Sequence, residues 1–231
     1  MTAVVRELSR SNSEEAEWKL RCDMAAVFRV CARLGWNEQI GNHNSLMLPG
    51  ERPLFMINPR GMLFRELTAS SLIVCDLDGN VVEGHRGPTS EKQLHLAVLA
   101  AYPEIGATMH CHAKHVQMFA VTHQPIPAVV EEFDVYVGGD VECSDYEETG
   151  SAELAEEVAR RVADRAAVVM ANHGLFACGK TCKDTLHIAS LVERTAEVVW
   201  GARALGPIVE VPAEIGAKYA SYYRYGRTGK F

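Results

Sequence analysis

The spacing of apolar and polar positions divides the chain into helices and short strands. From Glu14 to Leu34, the apolar positions Trp18, Leu20, Met24, Val27, Phe28, Cys31 and Leu34 recur at helical spacing, and Gly35 offers a stop. Leu54–Ile57 reads as a strand. Leu72–Leu77 and Val81–Glu83 flank Asp78-Gly79-Asn80, a hairpin signal. Thr89 or Ser90 can cap a helix from Glu91 to Ala101, with Leu94, Ala97, Val98 and Ala101 inward. Ala107–His112 alternates as a strand does, and a helix follows to Val121. Gly150-Ser151 opens a helix with Leu154, Val158, Val162 and Ala163 on one face. Ala166–Met170 reads as a buried strand and Leu175–Cys178 as another. A long helix begins at Thr181 or Thr185 and runs to Leu205, before Pro207. Residues 1–13 carry no pattern and are read as a flexible tail. Residues 14–231 are read as a single domain. Several hairpins within a helix–strand mixture predict an α/β or α+β class with a mostly antiparallel central sheet.

Composition narrows the partners. Apolar residues make up 48% of 231, enough for a substantial core. The net charge of −7 argues against a nucleic-acid binder, which would show a basic face. No apolar run reaches the roughly 18 residues that span a bilayer, and Met1–Lys19 lacks a signal-peptide core. The seven cysteines are scattered, odd in number and without a Cys-x-x-Cys, as in a reduced cytoplasmic chain.

Candidate chemistry centres on Thr108-Met109-His110-Cys111-His112. Residues two apart on a strand share a face, so His110 and His112 project side by side, and Cys111 points the other way into packing. Catalytic zinc sites commonly use three protein ligands and an open position. His173, where an apolar run ends before Gly174, is the best third candidate. Glu91, in Pro88-Thr89-Ser90-Glu91, supplies a carboxylate of the kind that moves protons beside an ion. Gly41-Asn42-His43-Asn44-Ser45 is either an anion-binding turn or a plain Asx turn. Arg60, in Asn58-Pro59-Arg60-Gly61, either grips an anion bidentately or is simply solvated.

Six marks in order give the chain its resemblance. They are Gly41–Ser45, Asn58–Gly61, Leu77–Gly79, Pro88–Glu91, His110–His112 and Asn172–Gly174. Together they resemble the class II aldolase/adducin family, over about Glu14 to Tyr225. The resemblance implies a three-layer α/β/α fold around an antiparallel sheet, and a homotetramer with active sites at subunit boundaries. It implies that His110, His112 and His173, with Glu91 in the empty site, hold Zn2+ or another divalent ion such as Mn2+. It implies that Glu91 is the catalytic acid/base, and that a tyrosine near the C-terminus, matched to Tyr225, protonates the leaving aldehyde oxygen. Asn42, His43, Ser45, Arg60, Gly61, Thr89 and Ser90 then line the substrate pocket.

The activity so implied is a lyase of the L-fuculose-phosphate aldolase type. It would cleave a ketose phosphate through a metal-stabilised enediolate. Three departures qualify the substrate. Aligning on Ser45 puts His43 where the aldolases carry asparagine, and aligning on Gly41-Asn42 puts Asn44 where they carry serine. Arg60 replaces a small hydroxyl residue. Glu131 stands about where a mobile tyrosine is found. Arg60 and the altered turn favour the alternative, a decarboxylase of a hydroxylated aromatic or 3-oxo acid on the same scaffold. A remote alternative is a non-catalytic, adducin-like binding module; the three intact histidines count against it.

Overall fold

The computed structural model describes residues 3–229, with side chains from Glu14 onward. The first helix, α1 (Ala3–Leu34), is helical in backbone from Ala3, where a tail to residue 13 is expected from the sequence. Four strands follow: β1 (His43–Leu48), β2 (Leu54–Ile57), β3 (Ile73–Asp76) and β4 (Val81–Glu83). Then come α2 (Lys92–Ala101), β5 (Ala107–Cys111), α3 (Lys114–Thr122), α4 (Glu131–Val137) and α5 (Ala152–Arg161). The chain closes with β6 (Ala167–Val169), β7 (Leu175–Gly179), α6 (Cys182–Ala202) and α7 (Ala213–Thr228). The strands form one sheet in the order β4-β3-β2-β1-β5-β7-β6. Every pairing between these strands is antiparallel.

Strand alternation sorts the core into two layers. Ala107, Met109 and Cys111 of β5 pack with Met24 and Phe28 of α1, Val116 of α3 and Val192 of α6. Cys111 thus faces away from its histidine neighbours, as its position between them requires. On the opposite face, Phe176 and Cys178 of β7 meet Leu94 and Val98 of α2 and Leu154 and Val158 of α5. The α/β/α sandwich follows. Fully burying a side chain such as Phe28 contributes about 1.5–3 kcal/mol.

Local chemistry fixes the element ends. Ser151 Oγ accepts the Leu154 N–H at the start of α5. Thr181 and Asp184 form a reciprocal cap on α6. Asp76 Oδ1 accepts the N–H groups of Asp78 and Asn80, and Gly79 takes φ +80°, which closes the β3–β4 hairpin. At α2 the structure differs from the sequence reading. Glu91 itself is the N-cap residue and no side chain caps the helix. Glu91 instead turns its carboxylate toward the histidines. Val135-Tyr136-Val137 lies in helix α4, and the tyrosine-rich tail forms α7, an element the apolar spacing does not announce.

Candidate metal centre and active site

The centre forms where β5 ends and β7 begins. β1 and β5 place His43 directly opposite His110. β5 and β7 pair His110 with Phe176, which brings the turn before β7 alongside. In that turn Asn172 adopts φ +54°, and the His173 N–H donates to Met170 O. Gly174 is required by space. A Cβ there would meet Cys111 O at 2.8 Å, His112 Cδ2 at 2.9 Å and His110 Cε1 at 3.3 Å.

Ligand nitrogens of His110, His112 and His173 lie within 4.8 Å of one another. His43, Glu91 and His110 form a second such group that shares His110. Glu91 Oε2 is 3.7 Å from His173 Nε2, and Glu91 Oε1 is 3.6 Å from His43 Nε2.

The hydrogen bonds behind the rings decide what they offer in front. His110 Nδ1 donates to Leu175 O at 2.9 Å, which leaves a lone pair on Nε2. His112 Nδ1 lies 2.8 Å from Glu38 Oε2, and an ionised carboxylate only accepts. In the neutral ring that a metal ligand requires, His112 Nε2 is then a lone pair too. These two Nε2 atoms are 3.1 Å apart, acceptor facing acceptor. Bonds of about 2.0–2.1 Å at tetrahedral angles set ligand nitrogens about 3.3 Å apart, so the pair fits a shared cation. His173 Nδ1 and Glu91 Oε2 are buried without partners, as groups awaiting an ion or substrate would be. The residues present therefore suit a divalent ion.

Burial sets the electrostatics. It holds the His43 pKa down to about 3, with His112 nearby adding to the effect. It lowers His110 well below the ordinary histidine range, and His43, His173 and His112 add to this. Burial also lowers His173, against the pull of Glu91. These rings are neutral, which is the ligand form. Glu91, only 7% exposed, is raised by burial, and the neighbouring His173 and His112 oppose the rise.

The other expected site residues divide into three groups. Arg60 and Gly61 meet the Thr89–Ser90 turn, because Pro59 bridges Pro88 and the Arg60 N–H donates to Gly87 O at 2.9 Å. Thr89 Oγ1 accepts the Glu91 N–H at 3.2 Å, and Arg60 and Ser90 are exposed. Asn42 and Ser45 are buried beneath the site. Asn42 Oδ1 accepts the Glu38 N–H, and Ser45 Oγ pairs with Thr108 Oγ1 at 2.6 Å. Tyr225 is not brought to its own chain's histidines. It lies on α7, where the adjacent Gly226 O accepts from Lys180 Nζ, just past the far end of β7.

Sequence reasoning missed four participants. Glu38 fixes His112, and its signal was a carboxylate just ahead of the Gly41 turn. Arg86 reaches the Gly61 turn, with Nη1 3.9 Å from where a Cβ would stand. His95 and Thr108 sit behind His43, and no local spacing joins them to it.

Comparison with known proteins decides the family. Residues 22–200 match the family described as Class II Aldolase and Adducin N-terminal domain. The chain belongs to this family. An L-ribulose-5-phosphate 4-epimerase of Salmonella paratyphi B is 32% identical over 168 residues, covering 68% of this chain and 74% of the relative. A 5-deoxy-D-ribulose 1-phosphate aldolase of Bacillus thuringiensis is 31% identical over 156 residues, covering 68% and 73%. Among solved structures, an L-fuculose 1-phosphate aldolase superposes with a TM-score of 0.83 at 29% identity, covering 89% of this chain and 96% of its own. The class II aldolase fold expected from the sequence is thus the fold observed, and these relatives are enzymes of sugar phosphates by name.

Proposed function

We propose that this class II aldolase-family chain is a zinc-dependent or similar divalent-metal lyase, which cleaves a ketose phosphate by retro-aldol chemistry. One observation carries the reading: three imidazoles converge on a point flanked by the buried carboxylate of Glu91, whose Oε2 has no hydrogen-bond partner. A bound divalent ion supplies Lewis acidity to the substrate's carbonyl and neighbouring hydroxyl oxygens and offsets the charge left when the bond breaks. Glu91 moves the proton at the nucleophilic carbon, its burial keeping it a competent acid as well as base. Arg60, Thr89 and Ser90, joined by the Pro59–Pro88 bridge, take the phosphate; the exposed Arg60 can pair with it bidentately.

The names of the relatives support this class. An aldolase breaks the bond between the carbons α and β to a carbonyl. Inverting C4 of a 2-ketose phosphate is reached by breaking and remaking that same bond. Tyr225 serves as the acid on the leaving oxygen only if contributed by a neighbouring copy. The proposal therefore includes the homotetramer with sites at subunit boundaries. A small-molecule substrate in the cytoplasm accords with seven unpaired cysteines and with the absence, among the described residues, of any helix long and apolar enough to cross a membrane.

The test is a substrate panel on metal-supplemented protein. Ketose 1-phosphates are assayed for aldehyde and dihydroxyacetone phosphate, ribulose 5-phosphates for epimerisation, and hydroxylated aromatic and 3-oxo acids for carbon dioxide. Aldehyde release from a ketose 1-phosphate is expected. Carbon dioxide release without any reaction of the sugar phosphates would overturn the reading in favour of the decarboxylase, and a protein that takes up no metal would favour the binding module.

A further inference from the structure

Behind Glu91 runs a buried chain of polar side chains that the proposed reaction does not use. Ser45 Oγ lies 2.6 Å from Thr108 Oγ1, Thr108 Oγ1 2.5 Å from His95 Nδ1, and His95 Nε2 2.7 Å from His43 Nδ1. The four side chains come from three elements, β1, β5 and α2. None is more than 1% exposed. The chain ends at His43 Nε2, which has no hydrogen-bond partner and faces Glu91 Oε1 at 3.6 Å. That gap is too long for a hydrogen bond, yet close enough for the sign of the charge on Nε2 to matter.

Two neutral proton arrangements satisfy the chain. In one, Ser45 donates to Thr108, Thr108 to His95 Nδ1 and His95 Nε2–H to His43 Nδ1, so that His43 presents Nε2–H. In the other every bond is reversed and His43 presents a lone pair. A lone pair aimed at an ionised carboxylate is repelled, whereas an N–H is attracted. Hydrogen bonds aligned in one direction also polarise and strengthen one another in a low dielectric. The carboxylate therefore selects the first arrangement.

We propose that His95 and Thr108 are positioning residues that lock His43 in its Nε2–H tautomer, so that an uncharged row of donors aims at Glu91 and holds its carboxylate in register with the metal centre. The row adds no formal charge beside the cation. It orients the acid/base from behind, as outer partners orient ligands in metal sites. This rests on the role proposed for Glu91, although the tautomer itself does not.

The test has two arms. In zinc-loaded protein with 15N-labelled histidine, the His43 resonances, assigned by their loss in His43→Asn, are expected to show a protonated Nε2 and an unprotonated Nδ1. A His43 bearing its proton on Nδ1, or ligating zinc through Nε2, overturns the proposal whatever reaction the protein performs, and this arm stands even if the His95 variants fail to fold. In the second arm, His95→Phe keeps the ring's volume and removes both nitrogens. It is expected to lower kcat roughly 10- to 100-fold, with KM changed less than about 3-fold and zinc content unchanged. His95→Gln, whose amide can still donate to His43 Nδ1, is expected to recover most of the loss. Equal damage from Phe and Gln, or zinc loss in step with kcat, would mark His95 as packing only and overturn the proposal. A wild-type protein inactive on every sugar phosphate would refute the proposed reaction and leave the tautomer to be decided by the first arm.

Discussion

The two ends of the β7 strand use polar side chains in opposite ways. Past its far end lies an apolar cavity of about 410 Å³, lined by Ile105, Ile188, Tyr222 and Tyr223 among others. Its charged groups are spoken for. Arg227 pairs with Glu104 at 2.9 Å and donates to the carbonyl oxygens of Val162 and Arg165, and its guanidinium carbon lies 4.9 Å from the centre of the Tyr102 ring. One nitrogen, Nη2, has no hydrogen-bond partner. At the near end the balance is reversed. His43 Nε2, Glu91 Oε2 and His173 Nδ1 are all buried and without hydrogen-bond partners, and the Nε2 atoms of His110 and His112 lie 3.1 Å apart. An apolar cavity alone would draw attention to the far end; polar groups held in readiness point to the near end.

Substitutions can break this contrast, and the largest effect belongs to the ligands. His110→Ala is expected to remove nearly all bound metal, by elemental analysis of protein purified without chelator, and to abolish turnover with it. Full occupancy in that variant would move the centre elsewhere. Glu91→Gln should retain the metal and lose at least about 100-fold in turnover; near-normal rates would exclude the carboxylate from proton transfer. Gly174→Ala drives a methyl group against Cys111 O and the His112 ring, and metal affinity measured by competition with a chromogenic chelator should fall about 10- to 100-fold. The smallest effect on activity is expected at the far end. Arg227→Ala strips Glu104 and two carbonyl oxygens of a donor and should cost about 2 kcal/mol in denaturant unfolding. Metal content should not change. A loss of metal there would show that the two ends are coupled.

The sequence revealed the near end far better than the far end, for physical reasons. His110 and His112 are legible because a strand's period of two places them together, and Gly174 follows His173 in a recognisable turn. Glu91 is legible as an acid at a helix start, but not as the cap residue whose side chain leaves the helix to face the histidines. Asn42 and Ser45 look like pocket-lining groups by type, yet the pleat of β1 carries Ser45 under the floor, where it meets Thr108. The partnership of His43 with His95 spans 52 positions, and no local spacing encodes it. Helix α7 is not legible because alanine, glycine, serine and tyrosine give a weak apolar rhythm; among its residues only Ala220 is buried. The backbone of α1 likewise begins earlier than its apolar spacing does.

The antiparallel pairing of β5 with β7 has a consequence for how the protein is assembled. His110 and His173 arrive from segments joined by a long excursion through three helices and β6, and only the zipping of these two strands brings them face to face. An ion gripped by both would act as a clasp across the seam, weakest while the strands are apart and strongest once they have closed. Occupancy then becomes a contribution to the durability of the whole sandwich, graded by how much free metal its surroundings offer.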